Sequence, residues 1–118
     1  MFNFEKLDVR HKAIDYEDLV YSLTNNFPRD ERFGPTNQMR RAAVSISANL
    51  AEGISRRSKI DFARFVEIAT GSLFEVISEA TTRHRQGFLT EADYQKLYTA
   101  AKEQSRMLSG LRKFLVEE

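Results

Sequence analysis

Apolar residues recur along this chain at alternating intervals of four and three, the spacing that lines one stripe of an α-helix. Val9, Ala13, Tyr16, Val20, Leu23 and Phe27 form the first such seam. It must stop before Pro28, because the residue preceding a proline is pushed out of the helical region. A loop, Pro28 to Gly34, follows. Pro35 suits the first helical position, where a missing N–H costs nothing. A second helix is expected from about 35 to 54, with Met39, Ala43, Ile46 and Leu50 as its seam. It is rich in small residues (Ala42, Ala43, Ser45, Ser47, Ala48, Ala51), which let neighbouring backbones approach from more than one side. It is therefore expected to be the most enclosed helix.

Ser58-Lys-Ile-Asp61 has the form of a capping box, with an aspartate in place of glutamate, and opens a third helix. Phe62, Val66, Ala69, Leu73, Val76 and Ala80 repeat the seam, and Phe65, Ile68 and Ile77 add a second stripe. Gly71 falls mid-helix, where glycine costs about 1 kcal/mol relative to alanine; close packing against a neighbour would account for it. Gly87 is placed to terminate the helix. Thr90-Glu-Ala-Asp93 repeats the capping pattern. Tyr94, Leu97, Ala101, Gln104, Leu108, Leu111 and Leu115 follow on a fourth helix. Gln104, polar within that seam, is expected at a half-exposed edge of the bundle. Phe2 and Phe4 are expected to pack as an N-terminal tail against the bundle end.

Four amphipathic helices (about 7–27, 35–54, 59–86 and 91–116) joined by short loops predict an all-α, antiparallel up-and-down four-helix bundle in one domain spanning 1–118. The length of 118 residues suits one core without staples. The chain has no cysteine, which removes thiol chemistry, disulfides and cysteine metal sites together. Apolar runs are too short for a membrane span, and the charged N-terminus lacks a signal-peptide core. A cytoplasmic protein with no membrane association is the expectation.

The net charge is +1, but it is unevenly spread. Residues 29–64 carry eight bases against four acids, a net +4, which leaves −3 on the rest. Arg56, Arg57 and Lys59 fall at the turn between the second and third helices, where loop cations and helix-start N–H groups suit phosphate. Arg40 and Arg41 are adjacent on the second helix and point about a hundred degrees apart. Arg83-His84-Arg85 makes a further cationic spot at the end of the third helix. Asn49 and Glu52 stand out on a helix of small and apolar residues. They either form a polar site or pair with arginines, Arg56 one turn on among them.

Catalytic patterns are missing from the sequence. His11 and His84 are the only histidines and fit no metal motif. No phosphate loop and no nucleophile elbow occurs. The expectation is a protein without catalysis, metal or cofactor.

The stretch Gln38-Met-Arg-Arg-Ala-Ala-Val-Ser-Ile-Ser-Ala-Asn-Leu-Ala-Glu-Gly53 resembles the signature of the 23S rRNA intervening-sequence proteins. Phe4-Glu-Lys-Leu7, Asn26-Phe-Pro28, Glu31-Arg-Phe-Gly34, Arg57-Ser58, Phe62 with Phe65, Ala69-Thr-Gly-Ser-Leu73 and Gly87-Phe-Leu89 agree in order. Many relatives carry an aromatic near Arg10 and a proline near Ser47 or Ala48; this chain has neither, which leaves its second helix straighter. The resemblance implies a four-helix protomer assembled as a homopentamer. It implies association with RNA or DNA, and through a related branch an accessory role beside the reverse transcriptase of diversity-generating retroelements. By that resemblance Arg40, Arg41, Arg56, Arg57 and Lys59 become candidate nucleic-acid contacts. Asn49 and Glu52 become candidate polar contacts between subunits. The alternative is a ring-forming structural or protein-interaction module with no nucleic-acid role.

Overall fold

The computed structural model describes the backbone of residues 2–31 and 34–117 and the side chains of residues 8–30 and 34–117. Four helices make up nearly all of it: α1 (Phe2–Thr24), α2 (Pro35–Ile54), α3 (Lys59–Arg85) and α4 (Glu91–Val116). No strand occurs among the described residues. One short 3₁₀ turn, Arg29–Glu31, lies between α1 and α2. Each helix packs on its chain neighbours, and α4 closes the bundle against α1. Among the described residues, the backbones of the diagonal pairs α1–α3 and α2–α4 do not approach within 8 Å (Cα to Cα), as expected of an up-and-down arrangement. The bundle measures 46 × 24 × 18 Å.

Local signals set the helix ends. Pro35 occupies the first turn of α2. The Ser58 hydroxyl accepts from the Asp61 N–H at 3.0 Å, and the Thr90 hydroxyl accepts from the Asp93 N–H at 3.1 Å. Each satisfies one of the donors that a helix start leaves without an intrahelical acceptor. At the end of α3 the Phe88 N–H donates to the Arg83 carbonyl and the Gly87 N–H to the His84 carbonyl. This pair of bonds is the Schellman arrangement, which needs a left-handed residue. Gly87 supplies it at φ 87°. The first helix ends at Thr24, about one turn before Phe27. The Thr24 hydroxyl donates back to the Val20 carbonyl at 2.7 Å, and Arg40 captures the Tyr21 carbonyl, so the last turn closes on side chains. At its other end α1 starts at Phe2, so the segment expected as a tail is helical. The side chains of Phe2 and Phe4 lie outside the described residues.

The seams form the core. Val9, Ala13, Tyr16 and Val20 of α1 meet Met39, Ala43, Ile46 and Leu50 of α2, all buried. Every residue of the first α3 stripe is buried, as are Leu97, Ala101, Leu108, Leu111 and Leu115 of α4. At about 25 cal/mol per Å2, removing these side chains from water is the main force holding the helices together. The second helix is the most enclosed, with eight of its 20 residues buried. Its small residues serve two sides. Ser47 donates to Glu17 of α1 at 3.1 Å, and Ser45 shares a hydrogen bond with Ser72 of α3 at 2.9 Å.

Two expectations need correction. Gln104 is not at an edge: it is 2 % exposed, and its amide donates to the Val9 carbonyl. The α4 stripe faces the centre along its whole length, so position 104 cannot escape. Gly71 is not a close-packed glycine: it is exposed, and a Cβ there would meet nothing within 4 Å. The tight glycine is Gly53, where a Cβ would come within 2.7 Å of the Phe62 ring and 3.0 Å of the Phe65 Cβ.

Candidate nucleic-acid interface

The basic residues singled out in the sequence fall at two separate places. Arg40 and Arg41 sit in the first half of α2, while Arg56, Arg57 and Lys59 lie beyond its end. At 1.5 Å per residue, the two groups are about 20 Å apart along the helix axis. The structure therefore gives two basic patches and not one continuous surface.

At the α2–α3 turn the bases differ in how they are engaged. Arg56 donates to the Glu52 carboxylate at 2.9 Å and lies over the Phe65 ring at 4.8 Å. Both partners are half-exposed, so this ion pair is worth well under about 1 kcal/mol. Lys59 opens α3 with its ammonium over the Phe114 ring at 5.4 Å. Arg57 is exposed in the turn between them.

Arg40 is turned inward, toward the end of α1. Its Nε donates to the Thr24 hydroxyl at 2.8 Å and one Nη to the Asn25 side-chain oxygen at 3.0 Å. Its guanidinium stacks on Tyr21 at 4.6 Å. Arg41 is exposed on the outer face of the same helix. The hundred-degree divergence expected of neighbours on a helix is realised here: one arginine braces α1, and the other faces solvent.

Asn49 and Glu52 do not form a joint polar site. The Asn49 amide donates to the Ser45 carbonyl at 2.8 Å and to the Ser45 hydroxyl at 2.9 Å. Glu52 pairs with Arg56, the one-turn partner considered from the sequence. Asn49 thus extends the Ser45–Ser72 polar seam between α2 and α3, and Glu52 belongs to the basic corner.

The Arg83-His84-Arg85 spot breaks up. Arg83 is 6 % exposed, with Glu79 at 3.9 Å. His84 is held in the α3–α4 turn: one ring nitrogen lies 2.9 Å from Glu91, the other 3.0 Å from the Leu89 carbonyl, and the ring stacks on Tyr94 at 4.8 Å. Only Arg85 is exposed. Sequence reasoning missed the Arg112–Glu67 ion pair (2.6 Å) and the Lys12–Glu103 pair (3.7 Å), which bridge α4 to α3 and to α1. Nothing in the linear pattern ties positions so far apart.

The family model of the 23S rRNA-intervening sequence protein matches residues 5–110. The chain belongs to this family. A crystal structure of an S23 ribosomal protein family member of unknown function, from Bacteroides thetaiotaomicron, has the same fold. The TM-score is 0.85 at 21 % identity, covering 92 % of this chain and 98 % of that one. None of the curated proteins compared matches the chain. Among the described residues of this family member, no helix is long and apolar enough to cross a membrane.

Proposed function

We propose that this 23S rRNA-intervening sequence protein is a non-enzymatic, nucleic-acid-associated bundle that acts as a homo-oligomer. RNA is its partner, bound through phosphate contacts at the two ends of α2. The observation that carries the reading is the α2–α3 corner. There exposed Arg57 stands beside the start of α3, and the Glu52–Arg56 pair leaves the corner a net cation. Exposed cations on a turn next to a helix start are the arrangement that sequence-independent backbone binding uses. The family description, which names an rRNA insertion, points to RNA over DNA. A cytoplasmic location follows from that partner. An accessory role beside a reverse transcriptase is the narrower form of the same proposal, and it rests on the resemblance to the retroelement branch alone.

The test is binding of structured RNA and duplex DNA by wild-type protein and an Arg41→Glu/Arg57→Glu variant across a salt series. Backbone binding loses affinity steeply as salt rises, with a slope set by the number of phosphates neutralised. The double reversal is expected to flatten that slope and leave the bundle folded. Absence of binding by micromolar wild-type protein at low salt defeats the proposal.

The second reading is a ring-forming protein-interaction module without nucleic acid. It is favoured by the exposed apolar face of α3 and α4, where Phe74 is 61 % and Tyr98 42 % exposed. The homopentamer implied by the family resemblance would cover such a face. Charge reversal that abolishes assembly, together with no RNA binding by the wild-type protein, would favour this module.

A further inference from the structure

The start of α2 combines three features that call for an anion. First, Gly34 at its N-cap offers no side-chain cap, and no acid lies in the first turn. The earliest intrahelical bond recorded there is from Gln38 N–H to the Gly34 carbonyl, so the N–H groups of Thr36 and Asn37 have no acceptor within the helix. Second, the Thr36 hydroxyl is unpartnered although the residue is only 2 % exposed. A buried hydroxyl left without a partner costs about 1–3 kcal/mol, which an acceptor bound beside it would recover. Third, Arg40, one turn on along the same face, draws only on neutral partners: the Thr24 hydroxyl, the Asn25 amide oxygen, the Tyr21 carbonyl and the Tyr21 ring. The carbonyl end of α1 offsets part of the Arg40 charge, but no carboxylate among its contacts neutralises it.

These groups meet in one recess of about 40 Å3 lined by Thr24, Asn25, Phe27, Pro28, Thr36 and Arg40. We infer that this recess between the end of α1 and the start of α2 is a binding site for a phosphate oxyanion. A water needs about 10–15 Å3 of such space, so the recess takes two or three oxygen atoms and leaves the rest of the group outside. That suits the non-bridging oxygens of a phosphodiester as well as free phosphate. The Thr36 hydroxyl and Arg40 donate from the helix face, and the free N–H groups of α2 add their field. Because Arg40 also braces the last turn of α1, an occupied site ties α1 and α2 together. The inference deepens the nucleic-acid reading by naming a phosphate seat, but it stands on the recess and not on that reading.

The experiment uses the full chain, labelled with nitrogen-15 and titrated with inorganic phosphate against chloride at constant ionic strength. Saturable shifts of the Thr36 and Asn37 amides and of the Arg40 Nε are expected. Thr36→Val removes only the unpartnered hydroxyl, so it keeps the fold, with a Tm in phosphate-free buffer equal to or above that of wild type. It is expected to weaken phosphate about tenfold, the equivalent of one charge-assisted hydrogen bond. A second arm adds an RNA oligonucleotide and its uncharged methylphosphonate counterpart. If RNA shifts the same amides and the uncharged strand does not, the phosphate is that of a nucleic acid; if only inorganic phosphate does so, the ligand is free phosphate. Equal phosphate affinity of Thr36→Val and wild type, or amides that follow chloride as they follow phosphate, overturns the site. RNA binding that depends on Arg41 and Arg57 but not on Thr36, with no phosphate-specific shift at Thr36, overturns the site and leaves the proposed function intact. Phosphate binding without any RNA binding does the reverse.

Discussion

The side-chain amide of Gln104 donates to the backbone carbonyl of Val9 at 3.3 Å, joining the two ends of the chain across the α1–α4 seam. The Val9 carbonyl lies inside α1 and already has a helical partner, so it gains little from a second donor. The Gln104 side-chain oxygen has no partner and is buried. The pair therefore fixes register between α1 and α4 at a cost in stability.

Gln104→Leu removes that cost. Leucine is close in volume, matches the rest of the α4 seam, and leaves no polar atom to satisfy. We expect the variant to be more stable by about 1 kcal/mol, or a few degrees in Tm. Thermal unfolding followed by circular dichroism checks this. A drop in Tm would mean the Gln104 bond stabilises the bundle outright.

The two helical glycines of α2 and α3 should respond to alanine with opposite signs. At Gly53 a Cβ would press on the Phe62 ring and the Phe65 Cβ of α3. Overpacking of this kind costs about 1–3 kcal/mol, more than the gain in helix propensity returns. At Gly71 the Cβ enters open space on an exposed face, so Gly71→Ala is expected to stabilise by up to about 1 kcal/mol. Urea midpoints of the two variants measure both. If Gly71→Ala destabilises, a neighbouring molecule occupies that face in solution.

The contrast shows what the sequence could and could not reveal. Spacing located all four helices and nearly every core position, because a seam of fours and threes has one physical solution. Caps at Ser58 and Thr90 and the stop at Gly87 were legible for the same reason: each acts on residues within a turn. Gly53 and Gly71 look alike in sequence, yet one is pressed against Phe62 and the other is open, since only the approach of α2 to α3 separates them. Gln104 was misplaced because polarity argues for an edge while the α4 seam forces position 104 inward. The candidate site was legible as a list of cations. How they are engaged was not: Arg40 bracing Thr24 and Asn25, or Arg83 buried beside Glu79, depends on contacts between helices.

Tyr16 gives a pH-dependent prediction. Its hydroxyl is buried without a partner, and burial pushes its pKa well above the ordinary tyrosine value of about 10. The neutral form is the only one the fold accepts. Below about pH 10 both folded and unfolded chains hold the proton, and the group has no effect on the slope of stability with pH. Above it the unfolded chain releases the proton while the folded one keeps it, so stability falls as pH rises. Tyr16→Phe should remove that alkaline loss and leave the neutral-pH Tm equal or slightly higher. Denaturation midpoints between pH 8 and 11 would show it, and an unchanged alkaline slope in the variant would assign the loss to other tyrosines or lysines.

The exposed face of α3 supplies the last prediction. Phe74 is 61 % exposed and stands over a groove of about 640 Å3 between α3 and α4, with Ile77 and Tyr98 beside it. Burying one such aromatic side chain is worth about 1.5–3 kcal/mol, which the isolated protomer forgoes. Lys102 and Arg106 line the same groove, so its apolar floor carries a basic edge. Such a face suits the contact between subunits in the proposed homo-oligomer. Phe74→Asp should leave the helical spectrum unchanged, because the side chain supports nothing within the protomer. It should lower the mass found by light scattering to that of a single chain. Aspartate is the informative substitution: near Lys102 and Arg106 it is tolerated in the protomer, whereas buried between two subunits it costs several kcal/mol. A wild-type oligomer whose mass survives Phe74→Asp must use another face, and the outer stripe of α2 formed by Arg41, Val44 and Ala48 would be the next to alter.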